Sequence, residues 1–465
     1  MSDIVNGLAA EQVGKPIATV TRRRFLQAAG AGILASTLRP VASAQAQTGR
    51  SVSMLAEKVA PIAQAQAQVL QVVKATFEQL HPGVEFTYDT YVGPGDLLTK
   101  LETAAASHEG PDVFELGSTL VPTAYATGAF NILTADMWNR LGGRNAFLQP
   151  ALTVSGPSLD RAIAVPEYAN PFAMVYNTRM FAEAGIARPP RTWTEFVEIA
   201  QKLTVPGKSQ WGTVFSPADP YDPYHYVWLF ACQLGGQLTD ATGAKGQLSS
   251  PAVMSAVAFM LDWMAKYKIV APSNATFTKA DALRAFANRQ AAMWVMQGPA
   301  VNPLLAQSPV AREYAWAPHP TIPYGMTSLP PGGRPAQTFV AGEYLALFKF
   351  GKNQDLALDL VRLLTSTEIE YMYFTKYGYL PVTQRTYDQH ADTKQRPWDA
   401  FYDAEVKAYP TPFVGSWAQI EVILGHAVKQ MADQIAGSGG YTAAQLKQAL
   451  TQADAEFDAA VKQGK

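Results

Sequence analysis

The chain has 465 residues, 48% of them hydrophobic, with a formal net charge of −1 and one cysteine. That length suits two or three compact domains with full cores, and 37 Lys and Arg against 38 Asp and Glu, with no basic stripe, argue against a nucleic-acid partner. Cys232, standing alone, excludes an intramolecular disulfide and a cysteine-based metal site.

The first predicted element is an export signal. Residues 21–47 read TRRRFLQAAGAGILASTLRPVASAQAQ: arginines in front, an apolar run at 28–38, then two overlapping small-x-small sites. The apolar run is about half of the roughly 20 residues that a membrane span needs, so it predicts a cleaved leader and not an anchor. Arg22 and Arg23 in TRRRFLQ are similar to a twin-arginine signature, with Gln27 where Lys is more usual. Residues 1–46 are assigned to the signal, with cleavage expected near Ala44 or Ala46 and release into the periplasm. No later segment reaches spanning length without charge or proline, so a soluble mature protein is expected.

Helical and extended patterns then alternate. Residues 52–55 read as a strand, and 63–80 as a helix with Val69, Val72, Val73 and Phe77 on one face. An alternating strand at 84–88, a helix at 97–107 and a buried strand at 112–116 ending at Gly117 follow. This alternation predicts a parallel sheet with helices on both faces. Capping signals mark later helices: Thr192 with Glu195, Ser250 before Pro251, Thr365 with Glu368, and Thr442 with Gln445. Val253, Val257, Met260 and Met264 recur at core-facing spacing. Breaks rich in Pro and Gly at 165–168, 318–335 and 378–381 fit three crossings between two lobes, and fit three surface loops equally well.

A set of segments in fixed order carries a family resemblance. They are PDVFELG at 111–117, ATGAFNIL at 126–133, AVP at 164–166, VYNTRMFAEAGI at 175–186, PRTWTEF at 190–196, FANRQAAM at 286–293 with Gly298-Pro299, LLTS at 363–366 and GYLPV at 378–382. Together they resemble extracellular solute-binding proteins of the maltose-binding type, the receptors of ABC importers. The resemblance implies an α/β fold of the periplasmic-binding-protein type II kind: two α/β lobes, a multi-strand hinge and a ligand cleft between the lobes. It places the first lobe at 50–167, the second at 172–320, a crossover loop at 321–337, a return to the first lobe at 338–380 and second-lobe helices at 385–465. The implied function is capture of a sugar or polyol by hinge closure and delivery to the membrane subunits of a permease. A monomer is expected, with no catalytic residue, metal or cofactor.

The same resemblance supplies ligand-binding candidates. Asp219 can accept two hydroxyl hydrogen bonds and Tyr221 can stack on a sugar ring; Trp417 resembles the last aromatic wall of the cleft. Asn170 and Tyr168, Ser118 and Thr119, Glu57 and Lys58, Trp228, and Gly342 with Glu343 complete the set. The sequence departs from the maltose-binding pattern in offering Ala300 where a stacking tryptophan is expected, and hydroxyls at Ser118 and Thr119 where a carboxylate is common. Two other readings stand beside this one. Glu167 and Asp219 could pair as the acids of an exported carbohydrate-active enzyme, and a receptor feeding chemotaxis would share the fold. The chain has no G-x-S-x-G, H-E-x-x-H or P-loop pattern, and its six histidines, among them His81, His225 and His426, are scattered.

Overall fold

The computed structural model describes residues 50–59, 62–219 and 222–463. The expected export signal and Tyr221 lie outside the described residues. The chain opens with β1 (Arg50–Glu57), α1 (Ala63–Leu80) and β2 (Val84–Tyr91), a βαβ unit in which β1 and β2 pair in parallel from Arg50 with Val84 to Glu57 with Tyr91. Helix α1 forms because Val69, Val73 and Phe77 recur every four residues and give it one buried stripe. Helix α2 (Gly93–Ser107) starts four residues earlier than its apolar pattern predicts, since Pro94 fits a first helical turn and Asp96 accepts the Val92 amide at 2.9 Å. β3 (Val113–Gly117) and α3 (Val121–Thr127) follow, then β4 (Ala164–Ala169) and β5 (Phe172–Asn177).

After β5 the chain builds a second α/β layer. It contains α4 (Trp193–Leu203), β6 (Trp211–Thr213), α5 (Asp222–Gln233), α6 (Pro251–Ala265), α7 (Lys279–Ala287), β7 (Ala291–Gln297) and β8 (Tyr314–Ala317). β9 (Gly342–Leu347), α8 (Gln354–Leu364) and α9 (Thr367–Tyr377) then return to the first layer. The chain ends in α10 (Trp417–Ser438) and α11 (Ala443–Lys462). Among the described residues the strands form two sheets, ordered β2-β1-β3-β9-β4 and β6-β7-β5-β8. Neither sheet is purely parallel, contrary to the expectation from alternation. β9 runs antiparallel to both β3 and β4, because it enters the first sheet only after the chain has built the second.

Each sheet packs a core on each face, and the larger cores of the two sheets are distinct. Val73, Phe77, Leu345 and Leu360 belong to the first, and Trp193, Phe196, Trp263 and Met293 to the second. The stripe Val253, Val257, Met260 and Met264 is buried as its spacing predicts. Helices α10 and α11 bury Ile420, Leu424, Leu450 and Phe457 in the second core. Tyr387 and Phe401, expected with these C-terminal helices, instead join the first core with Leu380 and Val382. At Thr192 the hydroxyl caps α4 through the Glu195 amide, while the Glu195 carboxylate turns to Arg188 and the Arg191 amide in place of reaching back. Ser250 makes no side-chain cap bond, and the cap of α9 is Ser366, one residue after the expected Thr365. Thr442 and Gln445 form the full reciprocal box.

The lobes are joined by three strands of chain lying side by side. Asn170 donates its amide to the Ala341 carbonyl at 2.8 Å, and Val340 donates to the Tyr409 carbonyl at 2.9 Å. Crossings therefore occur between Ala169 and Phe172, at 338–341, and beside Tyr409. Of the three breaks considered, 318–335 stays on the second lobe, where the Trp193 amide reaches Ile322 and the Arg334 amide reaches Cys232. The 378–381 break stays on the first lobe, with Leu380 paired to Ala169.

Gly342 opens β9 where a β-carbon would overlap the Tyr168 carbonyl oxygen of β4. Gly342→Ala is expected to destabilise the protein by about 3 kcal/mol, as overpacking against rigid backbone does. Gly425→Ala, in mid-α10 with open space around its Cα, is expected to stabilise by about 0.5–1 kcal/mol through helix propensity. Urea unfolding of both variants, at equal slope, checks the pair.

Candidate functional site

The first-lobe wall of the interlobe junction is built from strands that each deliver an acid. β1 ends at Glu57, whose backbone amide donates to Glu115 Oε2 of β3 at 2.8 Å. Glu115 Oε1 accepts the Tyr168 hydroxyl of β4 at 2.6 Å, and Glu167 Oε1 accepts the Tyr373 hydroxyl of α9 at 2.6 Å. β9 places Glu343 opposite Gly117 on one side and Tyr168 on the other. A bulge in β4 between Pro166 and Tyr168 decides this arrangement. Regular pairing would set Glu167 opposite Glu343, and the extra residue gives that place to Tyr168.

Burial and mutual repulsion then act on these acids together. The Glu115 carboxyl is pushed up to about 7 by burial, with the Glu57 charge adding to it and the Tyr168 bond opposing. Glu167 is raised well above the carboxylate range by burial and by Glu115. Glu343 is raised likewise, by burial and by Glu57, Glu115 and Glu167, with a Tyr91 hydrogen bond opposing. Such acids hold a proton near neutrality, because desolvation disfavours the charged form.

The second-lobe wall is made by the start of α5 and of α7. Asp222 accepts the Ser216 hydroxyl and lies 3.5 Å from the Lys279 ammonium. Asp219 Oδ1 accepts the Asp222 amide at 3.2 Å and Asp219 Oδ2 the Lys279 amide at 3.4 Å, so this loop is braced by its own carboxylate. Burial works against the Lys279 charge, but Asp222, Asp219 and, from the first lobe, Glu57 outweigh it and raise the pKa. The lobes meet where Thr119 Oγ1 lies 3.5 Å from the Tyr224 hydroxyl. Glu421 of α10 sits next to Thr119, Tyr224 and Trp417, and burial pushes it up to about 8, with neither carboxyl oxygen in a well-aligned hydrogen bond.

The sequence-predicted candidates fall into distinct groups. Glu57, Tyr168, Ser118, Thr119 and Glu343 line the first-lobe wall or the turn after β3, and Asp219 is on the facing wall. Asn170 is half-buried in the first crossing, with Oδ1 lacking a hydrogen-bond partner. Tyr168, expected as a stacking platform, has one face already covered by Tyr379, with ring centroids 4.4 Å apart and planes 9° from parallel. Lys58 is exposed and contributes its backbone amide to Tyr91. Trp228 packs on Phe339 inside the second core. Trp417 is wholly buried at the start of α10 and presents no exposed face. Gly342 serves the close approach of β9 to β4. For the enzyme alternative, Glu167 is engaged by Tyr373 on one lobe and Asp219 by α5 and α7 on the other.

Glu115, Lys279, Asp222 and Glu421 were missed as site residues. A lone acid inside an apolar run, as in VFELG and WAQIEVILG, is the signal that could have found two of them, since unpaired acids are almost never buried without a reason. Lys279 carries no such signal; its partner Asp222 lies far back in the chain.

The raised acids set the direction of pH-dependent stability. Between pH 6.5 and 8.5 unfolded carboxylates are ionised, and unfolded histidines, about half protonated at pH 6.5, are largely neutral from about pH 7.5. In that window Glu115, near 7, and Glu405 and Glu421, near 8, keep protons in the folded state that the unfolded chain has lost. Stability is therefore expected to fall as pH rises through the window. Glu405→Gln should flatten the fall by up to about 1.4 kcal/mol per pH unit; urea unfolding at pH 6.5, 7.5 and 8.5 measures it, and an unchanged slope contradicts the assignment.

Comparison with known proteins agrees with this architecture. Residues 60–371 match the profile described as "Bacterial extracellular solute-binding protein". The chain is 26% identical over 328 residues to the diacetylchitobiose binding protein DasA of Streptomyces coelicolor, covering 69% of this chain and 72% of that one. A binding protein of Brucella abortus (strain 2308) is 25% identical over 389 residues, 82% of this chain and 88% of its own length. Among solved structures, maltose-bound MalE3 of T. maritima superposes with a TM-score of 0.73 at 23% identity, over 88% of this chain and 98% of that one. A ribitol complex of an ABC transporter solute-binding protein from Agrobacterium radiobacter K84 gives 0.71 at 20% identity, over 89% and 99%. At these identities the solved structures establish the fold, and the profile match over most of the chain establishes the family: this protein belongs to the bacterial extracellular solute-binding proteins.

Proposed function

We propose that this protein is the exported receptor of an ABC importer, closing its two lobes on a small polyhydroxylated solute, a sugar or polyol, and handing it unchanged to the permease subunits. The observation that carries this reading is that the polar junction is assembled from both lobes. Thr119 meets Tyr224 across it, and Lys279 of one lobe feels Glu57 of the other. Such a site is complete only when the lobes are together, which is how a ligand contacting both walls shifts an open-closed equilibrium. The three-strand hinge supplies the motion. Relatives named for diacetylchitobiose, maltose and ribitol support a hydroxyl-rich ligand.

The remaining assignments extend the same reading. The 1–46 leader is a twin-arginine signal that delivers a folded monomer to the periplasm. Asp219, Tyr221, Asn170, Tyr168, Glu57 and Glu343 are the proposed ligand contacts, joined by Glu115 and Lys279. The protein binds and does no chemistry on its ligand.

Thermal-shift screening of the mature protein against mono- and disaccharides and polyols tests the proposal. A ligand at about 100 times its Kd stabilises the folded form by about 2.7 kcal/mol, so a rise of a few degrees in Tm is expected from at least one compound. Failure of every compound to move Tm, or turnover of a glycoside by the purified protein, overturns it.

A further inference from the structure

The first-lobe wall is one-sided in its hydrogen-bonding chemistry. Glu167 is 2% exposed, and its Oε2 has no hydrogen-bond partner. Glu343 Oε2 and Asn170 Oδ1 are buried atoms in the same condition. The amide oxygen of Asn170 is an acceptor, and so is each carboxyl oxygen once its acid gives up the proton that burial holds on it. The nearby hydroxyls are already engaged, Tyr168 with Glu115, Tyr373 with Glu167 Oε1 and Tyr91 with the Glu343 carboxyl. A ligand cation seated here favours the ionised acids, whose oxygens then accept from its N–H groups.

The wall is also one-sided in charge. Glu115, Glu167 and Glu343 act on one another's ionisation, with Glu57 adding to the field. Across the junction the ammonium of Lys279 is held 3.5 Å from Asp222, and its backbone is tied to Asp219, so its charge is matched on its own lobe. With a neutral hydroxyl the acids keep the protons that burial and mutual repulsion hold on them. A protonated amine stabilises the ionised carboxylates and supplies the donors they then need in one contact.

Resting on the receptor reading above, we infer that the ligand is a basic polyhydroxylated compound, an amino sugar or aminated polyol, whose ammonium group sits against Glu167 and Glu343. The hydroxyls of such a ligand face Asp219 and Asn170, and the donor-rich amine takes the unmatched acceptors.

The test is calorimetric titration of the mature protein at pH 7.5 with three matched pairs: 1-amino-1-deoxy-D-glucitol against D-glucitol, D-glucosamine against N-acetyl-D-glucosamine, and chitobiose against N,N′-diacetylchitobiose. In at least one pair the amine is expected to bind at least tenfold more tightly than its neutral counterpart. Glu343→Gln should abolish that preference, bringing the affinities for the amine and its neutral counterpart within about twofold of each other, with the circular dichroism spectrum unchanged; a preference that survives the substitution contradicts the placement of the amine. A neutral member that binds as tightly as its amine, or more tightly, in every pair that binds overturns the cationic ligand and leaves the sugar or polyol receptor standing. Binding of no compound, neutral or basic, overturns both readings.

Discussion

The architecture depends on β9, a strand that belongs to a sheet the chain had already left. It is hydrogen-bonded along both edges, to β3 and to β4, and its backbone polar groups are satisfied by strands made about 170 residues or more earlier. Because the second sheet is threaded between β4 and β9, the first sheet closes only with a strand that follows the second sheet in the chain. The two crossings flanking that insertion are forced side by side, and the third lies against them at Tyr409. A hinge of adjacent extended segments follows from that single pairing. So does the position of Glu343, which no local preference would bury.

The electrostatics of the cleft are a consequence of the same sheet. Strand ends that converge on one edge of the junction bring Glu57, Glu115, Glu167 and Glu343 within range of one another. In water these charges would be screened; in a buried wall desolvation and repulsion both favour the protonated form. Tyrosine hydroxyls offset part of this by donating to Glu115 and Glu167. The second lobe solves the opposite problem, a buried ammonium, by surrounding Lys279 with Asp222 and Asp219. The two walls are thus stabilised separately, and side-chain contact between them is light at Thr119 and Tyr224. Helix α10 reinforces the junction from the side, where the Ala418 amide reaches Thr123 and Phe413 lies edge-on to Tyr125.

Much of this could be read from the chain alone, and the reason is locality. The stripes of α1 and α6, the βαβ opening and the Thr442 box are set by interactions within a few residues, so periodicity and capping chemistry report them directly. The ordered segments from PDVFELG to GYLPV were sufficient to anticipate two lobes and a hinge. Trp228 and Trp417 show where that approach fails: an aromatic near a cleft and an aromatic in a core have the same local sequence.

By itself, then, the sequence determined most helices and strands and their sidedness, and its family resemblance supplied the expectation of two lobes. The tertiary structure alone decided that β9 runs antiparallel, that a one-residue bulge turns Tyr168 and not Glu167 toward Glu343, and that Lys279 pairs with Asp222. Those outcomes join residues far apart in the chain, and a register shift of a single residue exchanges the faces of a strand. Their energies are settled by burial and packing, which no stretch of sequence contains before the chain is folded.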